Sequence, residues 1–201
     1  MKHLYESDKN EILGRIDAVS NTINGRLLPT FNSIEEEARV AGEKELEALS
    51  ANFNPEFIDE GSVYEQAYDE EIYYFYLHDE MRKEFLNSSI TWLFHLFEKD
   101  CSDVFNTNDV NAKKSELSAL LMSTETNSNW DLCNTELRLI ANVIKHGKGR
   151  SLDDLKRRRP DLIKSFHGHL SDAEVEITVD DLNSYISSMK AFWSEFFNKT
   201  L

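Results

Sequence analysis

Apolar residues recur at three- and four-residue steps along most of the chain, the mark of amphipathic helices. Residues 7–27 carry Ile12, Leu13, Ile16, Val19 and Ile23 at that spacing, ending near Gly25 and Pro29. Asn32 or Ser33 then suits the N-cap of a second helix to about Ser50, with Glu35, Glu36 and Glu37 in its first turn. From Ser62 to about Cys101 there is neither proline nor glycine, and Tyr64, Tyr68, Ile72, Phe75, Met81, Phe85, Ile90, Leu93, Phe94 and Phe97 predict one long helix. Asn87, Ser88 and Ser89 mark a place where it could kink. The cluster Tyr73 to Tyr76 is apolar nearly all round and predicts burial on two sides or a dimer contact.

Asp109 can cap a helix from about Ala112 to Met122, which the polar run Ser123 to Asn129 breaks. A further helix runs from about Trp130 to Gly147, with Gly147 as its left-handed C-terminal glycine. Two short helical turns separated at Pro160 follow. Residues 174–179, EVEITV, alternate and form the one credible strand, suited to a small hairpin or to an edge across a dimer. Thr178 or Asp180 starts a last helix with Tyr185, Ile186, Met189, Phe192, Trp193, Phe196 and Phe197 as its buried stripe. The fold class is therefore all-α: a bundle of about five to six helices on one long central helix. Residues 1–61 read as an N-terminal helical extension and residues 62–201 as the main helical domain.

Composition narrows the function. Two cysteines, Cys101 and Cys133, without a CxxC or His-rich setting, predict a reduced, cytoplasmic protein with neither disulfide framework nor zinc site. No stretch is long and apolar enough for a membrane span. No phosphate-binding glycine loop, GxSxG or HExxH occurs, and no cofactor is implied. The net charge of −15 opposes generic nucleic-acid binding, but its distribution is uneven. Phe31 to Glu84 holds 16 acidic residues and 4 basic ones, whereas Lys145 to His169 holds 8 basic and 3 acidic.

That basic region begins where the helix of about Trp130 to Gly147 ends. At ~100° per residue, with Arg138 at zero, Asn142 falls near ~40°, Lys145 near ~−20° and His146 near ~80°. Leu137, Leu139, Ile140, Val143 and Ile144 fill the other side. Arg138, Asn142, Lys145 and His146, with Lys148 and Arg150 just beyond, are the candidate site residues. An imidazole can move protons near neutrality, and a guanidinium can hold a phosphate and stabilise charge building on it. The opposing reading makes Arg138 and Lys145 a solvated face and His146 a helix-end residue favoured by the macrodipole. For Lys156 to Arg159, phosphate contact stands against a solvated run or docking to an acidic partner. His167 and His169 form an HxH pair without a surrounding ligand cluster, so no metal site is assigned. His78 and His95 read as packed or surface residues.

The helix LRLIANVIKHGKG (Leu137 to Gly149), with the preceding SSITWLFHLFEKDCSDVF (Ser88 to Phe105) and its Glu98, resembles the signature elements of the HEPN superfamily. That family comprises small all-α, usually dimeric proteins, many of them metal-independent RNases. The resemblance implies that Arg138 and His146 are the motif pair and the catalytic pair, with Asn142 and Lys145 as companions that bind, together with Lys148 and Arg150. Seven residues separate the pair here, where the family motif usually has four to six. It further implies a homodimer acting on RNA in a bacterial toxin–antitoxin or anti-phage defence system, with an antitoxin or other defence-system protein as partner. The acidic balance favours another class: a non-catalytic helical interaction or adaptor protein whose acidic face binds a basic protein.

Overall fold

The computed structural model describes residues 2–57, 59–165 and 173–201. The protein is all-α, and the only strands among the described residues form one two-stranded sheet. The helices are α1 (Glu6–Thr22), α2 (Ile34–Ala51), α3 (Glu60–Phe105), α4 (Val110–Ala119), α5 (Thr124–Asp131), α6 (Leu137–His146), α7 (Arg150–Arg158) and α8 (Val179–Thr200). A π-helical turn, Leu132–Glu136, joins α5 to α6 without a break. No helix among the described residues is long and apolar enough to cross a membrane.

The chain divides into two compact units, Met1–Asn21 with Phe85–Leu201, and Thr22–Glu84. In the first, the predicted stripe of α8 is buried whole, Tyr185, Ile186, Met189, Phe192, Trp193, Phe196 and Phe197, and Leu182 is buried with it. Its rings interlock with those of α3 and α5. Phe97 and Phe192 have centroids 5.7 Å apart, Trp130 and Phe192 5.4 Å, and Phe105 and Phe196 5.4 Å. Each fully buried ring contributes about 1.5–3 kcal/mol through area removed from water, and edge contacts add to it. α1 belongs to this unit and is fastened by ion pairs from Arg15 to Asp100 (2.9 Å) and from Asp17 to Lys190 (2.5 Å).

In the second unit α2 crosses the first half of α3 closely. A Cβ on Gly42 would stand 3.0 Å from the Ala67 carbonyl oxygen and 3.0 Å from Glu71 Cβ, so the crossing needs glycine there. Tyr74 donates to Glu37 Oε2 at 3.0 Å. Ser33 takes the N-cap position of α2, but its hydroxyl donates to Glu37 Oε1 at 2.6 Å and does not accept from the helix backbone.

Several local expectations change. α3 continues as helix through Asn87 to Ser89, where Ser89 Oγ and Thr91 Oγ1 donate to carbonyls four residues back (2.8 and 3.0 Å). Ser123 to Asn129 ends α4 but also begins α5: Ser123 Oγ accepts from the Thr126 amide at 3.1 Å, and the Ser123 amide donates to Glu195 at 2.9 Å. Tyr73 and Tyr76 are exposed and not buried on two sides. The strand at 174–179 is shorter than its alternation suggests. β2 (Ala173–Val175) pairs antiparallel with β1 (Ile163–Ser165), Lys164 opposite Glu174. Thr178 leaves the strand because it caps α8 in a reciprocal box with Asp181: the Asp181 amide donates to Thr178 Oγ1 at 3.1 Å and the Thr178 amide to Asp181 Oδ2 at 3.0 Å.

Candidate functional site

The helix bearing the candidate residues divides as its periodicity predicts. Leu137, Leu139, Ile140, Ala141 and Val143 are buried, while Arg138, Lys145 and His146 are exposed and Asn142 is half-buried. The apolar arc anchors α6 in the core, and the cationic arc faces solvent.

The helix ends in a turn that only glycine accommodates. The Gly147 amide donates to the Val143 carbonyl at 2.7 Å. Gly147 has φ +67° and ψ −122°, so it has the positive φ expected but departs from the left-handed helical ψ. A Cβ is even less welcome in that region. Gly149, at φ +147°, then caps α7, its carbonyl accepting from the amides of Leu152 (3.0 Å) and Asp153 (3.2 Å). Lys148 and Arg150 flank Gly149, both exposed. The two glycines thus bend the chain sharply enough that Lys145, His146, Lys148 and Arg150 follow one short path.

One contact comes from a distant part of the sequence. Lys145 Nζ lies 3.4 Å from His95 Nε2, and His95 Nδ1 lies 3.5 Å from Glu98 Oε2. The tautomer that satisfies both neighbours carries its proton on Nδ1, donating to the carboxylate, and leaves Nε2 to accept from the ammonium. His95 is therefore a surface residue of the candidate site, oriented by Glu98. The spacing of His95 and Glu98, three residues apart on one helix face, is the local signal for it. His78 lies elsewhere, stacked on Tyr74 with centroids 4.0 Å apart and a ring nitrogen 2.9 Å from the Tyr74 carbonyl.

The arginine run is committed to the fold. Arg158 pairs with Asp131 and, at 2.8 Å, with Glu136. Arg159 reaches Glu136 at 2.9 Å, Asp161 at 2.8 Å, Asp181 at 2.8 Å and the Tyr185 hydroxyl at 3.2 Å. Arg157 pairs with Asp154. Asp161, with Glu136 and Asp181, holds Arg159 well above the ordinary guanidinium range. Burial works against the Asp181 carboxylate, but Thr178 and Arg159 outweigh it and keep that group below the usual aspartate value. The hub of this network, Glu136, is buried and closes the π turn. On an ideal wheel it falls near ~160° from Arg138, in the middle of the apolar arc. A charge in that place is the sequence signal for a buried ion pair.

Neither cysteine offers a thiolate. Cys101 and Cys133 are buried free thiols, and burial pushes both well above the ordinary thiol range, away from nucleophilic thiolate. Among the described residues no group of three His, Cys, Asp or Glu is arranged to hold a metal ion. His167 and His169 lie outside the described residues. By contrast, Arg138, Lys148 and Arg150 make no ion pair among the described residues, and Lys145 meets an imidazole instead of a carboxylate. Comparison of the chain with protein-family models, curated proteins and solved structures returned no match.

Proposed function

We propose that the exposed arc of α6 and its glycine turn bind the phosphate backbone of RNA, and that the chain cleaves it without a metal as an effector of a toxin–antitoxin or anti-phage system. One observation carries this reading. In a chain of net charge −15, Arg158 and Arg159 are engaged by the buried Glu136, while Arg138, Lys145, Lys148 and Arg150 stand exposed on α6, its glycine turn and the first residue of α7, without a carboxylate partner among the described residues. A phosphodiester supplies the missing anion.

The chemistry follows from the residue types. The RNA 2′-oxygen attacks phosphorus as an imidazole takes its proton, the bond from phosphorus to the 5′-oxygen breaks, and a protonated imidazole supplies the proton to the leaving oxygen. The products are a 2′,3′-cyclic phosphate and a free 5′-hydroxyl. His146 serves one of these transfers, and Arg138 stabilises the charge on the non-bridging oxygens. His95, with Nε2 against Lys145 and Nδ1 on Glu98, stands beside the same cations. The attacking 2′-hydroxyl restricts the reaction to RNA. Pairing of two protomers along α6, which the HEPN resemblance implies, places two sets of these groups around one strand.

The test is cleavage of a fluorescently quenched single-stranded RNA by the purified chain in the presence of EDTA, with a DNA strand as control. His146→Ala and Arg138→Gln are each expected to abolish cleavage of the RNA while the helical circular dichroism stays unchanged. Undiminished cleavage by folded His146→Ala removes the catalytic assignment.

A further inference from the structure

The first half of α3 presents an exposed stripe that the folding of its own unit does not use. Towards α2 the helix turns Val63, Ala67 and the Tyr74 hydroxyl, the first two buried and the third bonded to Glu37. At ~100° per residue, Asp69, Tyr73, Tyr76, Leu77, Glu80 and Glu84 lie within about a third of a turn of one another, on an arc centred roughly 110° round from that face. Tyr73 is 64% exposed, Tyr76 61% and Leu77 46%. Asp69 stands one turn before Tyr73, Glu80 one turn after Tyr76, and Glu84 one turn further. The stripe therefore reads acid, tyrosine, tyrosine, leucine, acid, acid along the helix. Glu80 is paired with Lys83 at 2.8 Å, whereas Asp69 and Glu84 make no ion pair among the described residues.

We infer that this stripe is a docking surface for a basic amphipathic helix of another protein. Large exposed apolar side chains grouped on one face mark interaction sites, and tyrosine is enriched in them because it joins apolar area to a polar tip. The charge around the tyrosines decides the occupant. The unit Thr22–Glu84 contains the segment with 16 acidic and 4 basic residues, so its field repels RNA and attracts a basic chain. A two-fold contact with a second copy would lay Asp69, Glu80 and Glu84 against the same carboxylates, which opposes self-association. An arriving helix with leucine at one position and arginine or lysine a turn away meets each need. Its leucine covers Leu77 between the rings, its guanidinium groups lie over the faces of Tyr73 and Tyr76, and its remaining cations reach Asp69 and Glu84. This surface belongs to the second unit, and the inference does not depend on cleavage of RNA.

The experiment uses the full chain and a fluorescein-labelled synthetic helix of alternating leucine and arginine turns, followed by anisotropy, with the same peptide carrying glutamate for arginine as control. Wild type is expected to bind the arginine peptide and not the glutamate one. The double variants Tyr73→Ser/Tyr76→Ser and Glu80→Lys/Glu84→Lys should each weaken binding by about tenfold or more. Glu43→Lys/Glu47→Lys, exposed on α2, should change it by less than about twofold. Equal binding by wild type and Tyr73→Ser/Tyr76→Ser, or equal weakening by the α2 variant, reduces the effect to diffuse charge attraction and overturns the proposal. A wild-type dimer in light scattering that Tyr73→Ser/Tyr76→Ser converts to monomer also overturns it, making the stripe a contact between copies.

Discussion

The Tyr185 hydroxyl donates a 2.5 Å hydrogen bond to Glu136 Oε1, joining α8 to the π turn that introduces α6. The same carboxylate accepts from Arg158 Nε at 2.8 Å and Arg159 Nη1 at 2.9 Å, so one side chain ties α6, α7 and α8 together. Burial, and then the neighbouring Glu136 charge, raise the Tyr185 phenol far above its usual value, which keeps it a donor at any accessible pH. The π turn explains why a glutamate can serve here. Its extra residue per turn is a local irregularity of the kind retained where a side chain must be re-aimed.

Neutralising Glu136 takes one carboxylate from each of two guanidinium groups, which keep Asp131, Asp161 and Asp181 as partners. Glu136→Gln is therefore expected to cost about 1–3 kcal/mol, the range for weakening charged hydrogen bonds at a buried group. Tyr185→Phe should cost about 1–2 kcal/mol, the value of one buried hydrogen bond to a charged group. In urea unfolding the double variant should be less destabilised than the sum of the two, by about 1 kcal/mol. Strict additivity would show that the bond from Tyr185 to Glu136 is energetically irrelevant.

Gly147 supports a sharper claim. At φ +67° and ψ −122° an alanine is strained although nothing stands within 4 Å of the Cβ it would carry. Gly147→Ala should lower stability by about 1–3 kcal/mol, whereas Gly14→Ala, in α1 and equally open, should be neutral or stabilising. If α6 and its turn act together, Gly147→Ala also weakens RNA binding while leaving the cations in place. Unaltered stability would mean that the turn relaxes freely.

What the sequence displayed was whatever local chemistry determines. The α6 arc, the α8 stripe and the Thr178 cap all depend on residues within a turn or two of each other, and each appears where periodicity and capping put it. The partners of Arg158 and Arg159 were not legible, because they come from α5, the π turn, the segment after Pro160 and α8. Nor was the meeting of Lys145 with His95, which lie 50 residues apart and touch only once α3 and α6 have packed. Ser123 to Asn129 misled for a related reason. Its polar composition argues for a loop, and a tertiary partner, Glu195, supplies the bonds that hold it at a helix start.

Asp100 gives a pH dependence whose sign can be worked out. Its side chain is 1% exposed, and burial pushes it up to about 6 from 3.8 despite Arg15 at 2.9 Å. Between pH ~4 and ~6 the folded state therefore binds a proton that the unfolded state has released, so stability falls as pH rises through this window. The contribution is fully present below about pH 4 and lost above about 6, and amounts to at most ~3 kcal/mol. Asp100→Asn should flatten this part of the curve of unfolding free energy against pH. A wild-type and variant difference that is constant from pH ~4 to ~7 would contradict the raised value.

The charge assignment on α6 can be tested by salt alone. Each phosphate neutralised on a single strand contributes about −0.7 to the slope of log K against log salt, so Arg138, Lys145, Lys148 and Arg150 together predict a slope near about −3 for oligouridine. Substituting any one by glutamine should reduce the slope by about 0.7 and weaken binding similarly for all sequences, because phosphates carry no base information. Arg157 is the matched control: its side chain is 76% exposed, one helix further on, but it is already paired with Asp154. Arg157→Gln should leave the slope unchanged. A loss equal to that of Arg138→Gln would spread the interface along α7 beyond Arg150, and the unpaired cations of α6 and its turn would no longer explain the binding. A slope near zero in wild type would leave the cations of α6 without an anionic ligand and remove the basis for the RNA reading itself.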